Sequence, residues 1–454
     1  MHDRRGGGHA HRDAGRRVVS GASAARDVVV IGGGPAGMTA ASAAAESGAR
    51  VVMIDEGAGP GGQIWRPSVR SPQPRPARRA IARLETSGAE VLRSTSVVDA
   101  WRAGDRFMVA SETRGIGREI ETAALVLATG ARERFLPFPG WTLPNVFGVG
   151  GAQALLKSGT SFRGRRVVIA GSGPLLLPVA ASLARAGAKI LIVAEQAPSA
   201  SVMRFAAGLV RRPLTIAQAV SLRASFLTTP YAMGTWIVAA HGDTTLRSVT
   251  LTDGRSTRTF VCDVLCAAFG LVPNTELARL MGCAVERGAV VVDEKQSTSV
   301  PGVYCCGEPT GIGGVDLAVV EGEIAGLAAI GRPAPSALLS RRANHRRAAA
   351  HLDRTFALPP ELFALADDDT MVCRCEDVRW GALDRRWTSR QAKLYTRIGM
   401  GPCQGRICGA ALECLMNWPA DSVRVPAQPA RCRTLVGRPS ANPLPMNLSE
   451  PGVR

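Results

Sequence analysis

Val28-Val29-Val30-Ile31-Gly32-Gly33-Gly34-Pro35-Ala36-Gly37 decides the fold of this chain. The four apolar residues read as a buried strand, and the glycines after them as a phosphate-binding turn. Met38 to Ser47 reads as an alanine-rich helix, and Val51-Val52-Met53-Ile54 as a second strand ending in Asp55-Glu56. Gly32 permits the tight turn, Gly34 the approach of a pyrophosphate, and Gly37 the packing of helix on strand; Pro35 and Ala36 complete the loop. Asp55 follows Gly32 at the distance expected of an acid that bonds a ribose hydroxyl, with Glu56 as the neighbouring alternative. Strand, glycines, helix, strand and acid together specify a β-α-β dinucleotide site.

A second such unit starts near Arg165. Arg166-Val167-Val168-Ile169-Ala170 is the strand, Gly171-Ser172-Gly173-Pro174-Leu175-Leu176 the turn, and Ile190-Leu191-Ile192-Val193 the return strand before Glu195. Leu176 stands where the third glycine belongs, which holds the helix further from the strand. The fold is expected to survive this change, and nucleotide binding by Gly171 and Gly173 is left open. If a dinucleotide binds, Glu195 without a following arginine pair favours NAD over NADP.

Shorter landmarks complete the pattern. Leu125-Val126-Leu127-Ala128-Thr129-Gly130 is an apolar strand ending in a turn, and Ala267 to Asn274 closes the second unit similarly. Val303-Tyr304-Cys305-Cys306-Gly307-Glu308 comes next, then Gly313-Gly314 and a helix from about Leu317 to Ile330. That last turn aims backbone N–H groups at an anionic or polar cofactor.

Near the C-terminus stand Cys373-Arg374-Cys375 and Cys403-Gln404-Gly405-Arg406-Ile407-Cys408. In an extended segment residues i and i+2 share a side, so Cys373 and Cys375 can hold one iron. Gly399-Met400-Gly401-Pro402 bends the chain before Cys403 and exposes N–H groups to cluster sulfides. Arg374, Arg397 and Arg406 lie nearby to offset thiolate charge. A structural zinc site also takes four thiolates, but its cysteine pairs are usually spaced by two to four residues, so the single-residue gap favours iron–sulfur.

The chain has 454 residues and a formal charge of +18, which raises nucleic acid as a partner. Lys157, Lys189, Lys295 and Lys393 are its only lysines; the arginines are spread along it and aromatic residues are sparse, so no nucleic acid is expected. No stretch is apolar for long enough to span a membrane, and the first residues lack the apolar core of a signal peptide. The remaining cysteines are scattered and read as small buried hydrophobes in a reducing cytoplasm.

In this order the landmarks resemble a two-dinucleotide-domain flavoprotein of the glutathione/thioredoxin reductase superfamily. Gly61-Gly62-Gln63-Ile64, Gly150-Gly151-Ala152-Gln153, Gly171 to Pro178 and Met371 to Gly409 bring it closest to the family of opine oxidase A subunits and hydrogen cyanide synthase B subunits. The resemblance covers about residues 26–418, and its cysteine block resembles bacterioferritin-associated-ferredoxin-like (BFD-like) [2Fe-2S] domains.

The resemblance implies an α/β fold with two Rossmann-like domains and a small C-terminal helical [2Fe-2S] domain. It divides the chain into a disordered basic extension (1–26), a discontinuous FAD-binding domain (27–158 and 277–335) and a second NAD(P)-type Rossmann domain (159–276). A helical linker (336–365), the BFD-like domain (366–418) and a disordered tail (419–454) follow. Gly32, Gly34, Gly37 and Asp55 would then bind the ADP half of FAD, with Gln63, Thr129, Gly130, Gly307, Glu308 and Gly314 along the rest. Cys373, Cys375, Cys403 and Cys408 would hold the cluster. Glu308 replaces the usual aspartate, and the spacer between the cysteine pairs is a few residues shorter than usual.

Disulfide reduction is excluded. No Cys-x-x-Cys pair is present, and His241, His345 and His351 sit in no acid/base motif. No general base for amine oxidation stands out, so no catalytic residue is assigned. The reading is an electron-transfer subunit of an amino-acid or opine dehydrogenase, acting on CH–NH or CH–NH2 donors through a partner. The resemblance supplies that partner as a glycine-oxidase-like flavoprotein and leaves room for a small ferredoxin-like subunit. The competing reading is a stand-alone NAD(P)H-dependent ferredoxin or rubredoxin reductase.

Overall fold

The computed structural model describes residues 25–69, 72–208, 213–418 and 423–435. Its first sheet has seven strands and is built around Arg26–Ile31. Val51–Ile54 and Ile116–Leu127 flank that strand in parallel, and Glu90–Leu92 pairs beyond Val51–Ile54. The twelve-residue strand Ile116–Leu127 serves two roles. Its outer part forms an antiparallel meander with Arg106–Thr113 and, through it, Thr95–Ala103. Its last residues, Leu125 to Leu127, are flanked by Val29–Ile31 on one side and Val303–Cys305 on the other. This double pairing explains why Val28–Val30 and Leu125–Val126 are fully buried and read as continuous apolar runs.

Helices Pro35–Glu46 and Val315–Ala329 lie together over one face of this sheet, backbone against backbone. A Cβ on Gly322 would stand 2.2 Å from the Ala36 carbonyl oxygen, and one on Gly326 2.3 Å from that of Ala40. Only glycine and alanine allow this approach.

The second sheet is wholly parallel, in the order Tyr231–Met233, Lys189–Glu195, Arg166–Gly171, Val264–Ala268, Val146–Gly148. An antiparallel three-stranded sheet (Trp236–His241, Ser248–Thr252, Thr257–Val261) stands beside it. The chain passes between the units through Ala131–Glu133 and returns through Leu271–Pro273, and these two segments pair with each other.

The domain limits read from sequence therefore need one change. Val146–Gly148 pairs with Val264–Ala268, and Val149, Ala152 and Leu156 pack in the second core, so 146–157 belongs with the second sheet. A three-residue strand whose partner lies far along the chain leaves no local periodic signal.

Helix Ser336–Thr355 occupies the expected linker, but it is locked to the body. Arg346 and Arg342 reach Glu321, which is fully buried, at 2.6 and 3.5 Å. Glu321 also accepts from Gly307 N and Thr310 Oγ1, so one carboxylate ties two helices to the Gly307 turn. The cysteine module adds a short hairpin (Met371–Cys373, Val378–Arg379) and helices Ser389–Thr396 and Cys408–Met416.

The expected basic extension lies almost wholly outside the described residues, as does most of the expected tail. The tail's described part, 423–435, is ordered against the meander. Ala427 N donates to Val98 O, and Arg431 N and Thr434 Oγ1 donate to Glu112. Proline- and arginine-rich composition suggested disorder here, and edge hydrogen bonding overrides it.

Gly322→Ala tests the helix contact. The added methyl must push the Ala36 backbone away and cost about 1–3 kcal/mol, read as a lowered denaturation midpoint.

Candidate functional site

The first glycine turn is closed from within by the protein and open on one side only. Added Cβ atoms at Gly32, Gly33 and Gly37 would meet the Ala128 carbonyl oxygen at 2.2 Å, the Asp55 carboxylate at 2.2 Å and the Gly32 carbonyl oxygen at 1.8 Å. A Cβ on Gly34 meets nothing nearer than Gly62 Cα at 4.0 Å. Gly34 caps helix Pro35–Glu46, Pro35 opens it, and its first turn has neither a side-chain cap nor an acid. The N–H groups there need an acceptor, and a pyrophosphate fits both their charge and the space beside Gly34. Asp55 is half-buried beside Gly33 and accepts from Gly57 N at 3.0 Å, whereas Glu56 is exposed. Asp55 is thus the better-placed acid for a ribose. The residues present fit the ADP half of a flavin dinucleotide.

Further along, Gln63 is exposed, and its carbonyl accepts from Lys157 Nζ at 3.2 Å. Thr129 Oγ1 donates to Asn274 O at 2.6 Å, and Asn274 Nδ2 donates back to Thr129 O at 2.9 Å. Gly130 has positive φ (72°) and open space where a side chain would be. Gly307 lies against Ala36. Glu308 does not stand free: its carboxylate accepts from Gly313 N at 3.2 Å and Gly314 N at 3.0 Å, and burial raises its pKa.

The second glycine turn is different. Gly173 N donates to Glu195 Oε2 at 2.9 Å and Ala197 N to Oε1 at 2.9 Å, so the fully buried Glu195 carboxylate is consumed internally. Burial pushes its pKa up to about 7, against the pull of those N–H groups. Outside the turn, Ser172 Oγ donates to Phe356 O at 2.7 Å, and a Cβ on Gly173 would touch the Phe356 side chain at 4.0 Å. Phe205 packs on both Phe356 and His351, fixing this cover. Phe356 follows the last turn of helix Ser336–Thr355 and carried no sequence signal.

Cys373, Cys375, Cys403 and Cys408 all line one cavity of about 240 Å3, together with Arg374, Phe135, Trp141 and Ile407. Their pairing differs from the sequence expectation. The strand ends at Cys373, and Cys375 lies in the following turn, so the two do not share a strand face. Cys375 instead meets Cys403, and Cys373 meets Cys408. Cys373 and Cys408 are buried, Cys403 is half-buried and Cys375 is exposed. A Cβ on Gly401 would stand 2.2 Å from Cys375 Cβ, so the glycine lets the two segments close.

Burial works to raise the Cys403 pKa, but N–H groups of Ile407, Gly405 and Arg406 and the Cys375 thiol outweigh it, and the net shift is downward. Burial raises Cys408. Of the nearby arginines, Arg374 lines the cavity, Arg397 is paired with Glu376 at 2.7 Å, and Arg406 bonds Gln404 Oε1 at 2.7 Å. Among the described residues, no three His, Cys, Asp or Glu side chains converge closely enough to hold one metal ion. Four cysteines in two facing pairs, with N–H groups aimed at one sulfur, match a [2Fe-2S] cluster in kind and number of donors.

A larger cavity, about 470 Å3, opens beside this one and shares Phe135, Val146 and Arg374 with it. Glu133 lines it, its carboxylate capping Gly150 N at 2.7 Å and Gly151 N at 2.9 Å, and burial raises its pKa. Glu133 and Arg132 were missed in the sequence. Two charges directly after the Thr129-Gly130 turn were the available signal.

Two glycine-turn units joined by a paired crossover define a two-dinucleotide-fold flavoprotein, a flavin oxidoreductase by class. Residues 26–322 match the family described as pyridine nucleotide-disulphide oxidoreductase. The chain is 35% identical over 432 residues to the A subunit of opine oxidase from Rhizobium meliloti (strain 1021), covering 86% of this chain and 92% of that one. It is 33% identical over 422 residues to hydrogen cyanide synthase subunit HcnB of Pseudomonas aeruginosa, covering 84% and 90%. The chain belongs to the pyridine nucleotide-disulphide oxidoreductase family, in the branch that holds HcnB and the opine oxidase A subunits. Its fold is shared with L-proline dehydrogenase from P. horikoshii (TM-score 0.66, 20% identity, 90% of this chain and 79% of that one). Lactococcus lactis thioredoxin reductase shares less of it (TM-score 0.53, 21% identity, 69% and 99%).

Gly34→Val fills the only open side of the first turn. The purified variant should be colourless while wild-type protein carries one FAD per chain; equal flavin absorbance in both contradicts the site. Glu195 gives a pH test. Its folded pKa lies above the ordinary 4.5, so the unfolded chain gives up its proton first as pH rises. Stability should therefore fall on the order of 3 kcal/mol between about pH 4.5 and 7. In urea titrations Glu195→Gln should lose this slope.

Proposed function

We propose that the chain is the FAD- and [2Fe-2S]-containing electron-transfer subunit of a multi-subunit dehydrogenase for amino acids or opines. The substrate C–N bond is oxidised in a partner flavoprotein, as the names of the relatives suggest. One observation carries this reading: four thiols gather in one pocket docked against the flavin-type body. Trp141 Nε1 donates to Met371 O at 2.6 Å and Arg132 Nε to Arg406 O at 3.0 Å, which fixes the module there. A bound flavin exchanges electrons in pairs or singly and an iron–sulfur cluster exchanges them singly. The residues hold and orient: the helix start beside Gly34 takes the pyrophosphate, Asp55 a ribose hydroxyl, and the cysteine pairs take the irons. Phe356 against the second turn argues against rapid use of nicotinamide, and so against a stand-alone reductase.

Anaerobically prepared protein should contain two irons and labile sulfide per chain, and Cys403→Ser should lose most of both. Zinc without sulfide would overturn the cluster. Co-expressed with its flavoprotein partner, the chain should reduce dichlorophenolindophenol when octopine, nopaline, proline, sarcosine or glycine is supplied. Cys375→Ser should cut that rate at least ~10-fold, which is a barrier increase of about 1.4 kcal/mol, while the partner flavin stays reducible. An unchanged rate contradicts the relay.

A further inference from the structure

Arg132 joins the two halves of the site. It lies on Ala131–Glu133, directly after the Thr129-Gly130 turn. Its Nη1 donates to Asn274 Oδ1 at 2.7 Å, and Asn274 is bonded in both directions to Thr129. The same Nη1 pairs with Glu276 Oε1 at 2.8 Å. On its other edge, Nε donates to the carbonyl of Arg406, between Cys403 and Cys408. The N–H of Arg406 faces the Cys403 sulfur. One planar guanidinium therefore bonds the flavin-side turn and the cysteine loop at once, from a side chain only 22% exposed.

We propose that Arg132 is a positioning residue for electron transfer, on the functional reading given above. It fixes the Cys403–Cys408 loop against the Thr129-Gly130 turn and holds a positive charge beside the thiolates. Both roles follow from arginine chemistry. The fork supplies divergent donors in fixed geometry, and the charge persists under burial. Lysine keeps the charge but has no Nε–H and Nη–H pair to reach Asn274 and Arg406 together. Glu276 offsets part of the cost of burying the cation. A nearby cation favours the reduced, more negative form of a thiolate-bound cluster.

The test uses the full chain, with FAD, prepared anaerobically as Arg132→Met and Arg132→Lys. Amide hydrogen exchange over 403–408 reports the positioning, and a redox titration followed by electron paramagnetic resonance reports the charge. Both variants should retain FAD and show exchange in 403–408 raised at least ~10-fold, with other core segments unchanged. The cluster potential should fall in Arg132→Met and stay near wild type in Arg132→Lys. Wild-type exchange and potential in Arg132→Met would overturn the proposal, as would loss of FAD and raised exchange throughout the chain in both variants, since Arg132 would then act only in folding. If wild-type protein holds no iron, the functional reading fails separately; the exchange measurement then still decides whether Arg132 fixes the loop.

Discussion

A Cβ on Gly37 would stand 1.8 Å from the Gly32 carbonyl oxygen, and this contact governs the molecule. It brings helix Pro35–Glu46 down onto its strand, aims the helix N-terminus at the open side of Gly34, and sets the depth at which the second helix packs. Gly322 and Gly326 then let Val315–Ala329 lie on the same helix, and Glu321 on that second helix anchors Gly307 and the two arginines of Ser336–Thr355. Breaking a buried pair of this kind costs about 3–5 kcal/mol, because it strands a charge. The flavin-side turns and the helix leading to the cysteine module are thus held by one chain of contacts that begins at a missing methyl group.

The two glycine turns share a sequence pattern and differ in what lies beside them. At the first, protein atoms leave the Gly34 side free. At the second, Glu195 takes the Gly173 N–H from inside and Phe356 rests on the turn from outside. Leu176 accompanies this difference. Fully buried where a glycine belongs, it delays the regular helix to Leu176–Arg185, two residues later relative to its turn than in the first unit. A dinucleotide fold can in this way persist as a scaffold while its cradle is filled by the chain itself.

Much of the first unit was legible because its signals are local. Val28–Ile31 and Val51–Ile54 are observed as strands, and the helix begins at Pro35, before the expected Met38, since proline suits a first helical position. The four cysteines were legible as a set by spacing, yet their pairing was not, because the turn after Cys373 depends on contacts with Gly401 and Cys403. Arg132, Phe356 and Arg346 act on partners far along the chain, and nothing in their neighbours announces it. The same holds for Val146–Gly148, whose strand partner lies more than a hundred residues away.

The central claim is that this flavoprotein passes electrons through its cysteine module and does not draw them from nicotinamide at its second turn. Mixing the isolated, FAD-loaded chain with NADH under anaerobic conditions and following flavin absorbance tests it directly. Bleaching far slower than catalytic turnover is the expected result. Bleaching at roughly 10 per second or faster, a barrier well within that of an ordinary enzyme step, would contradict it.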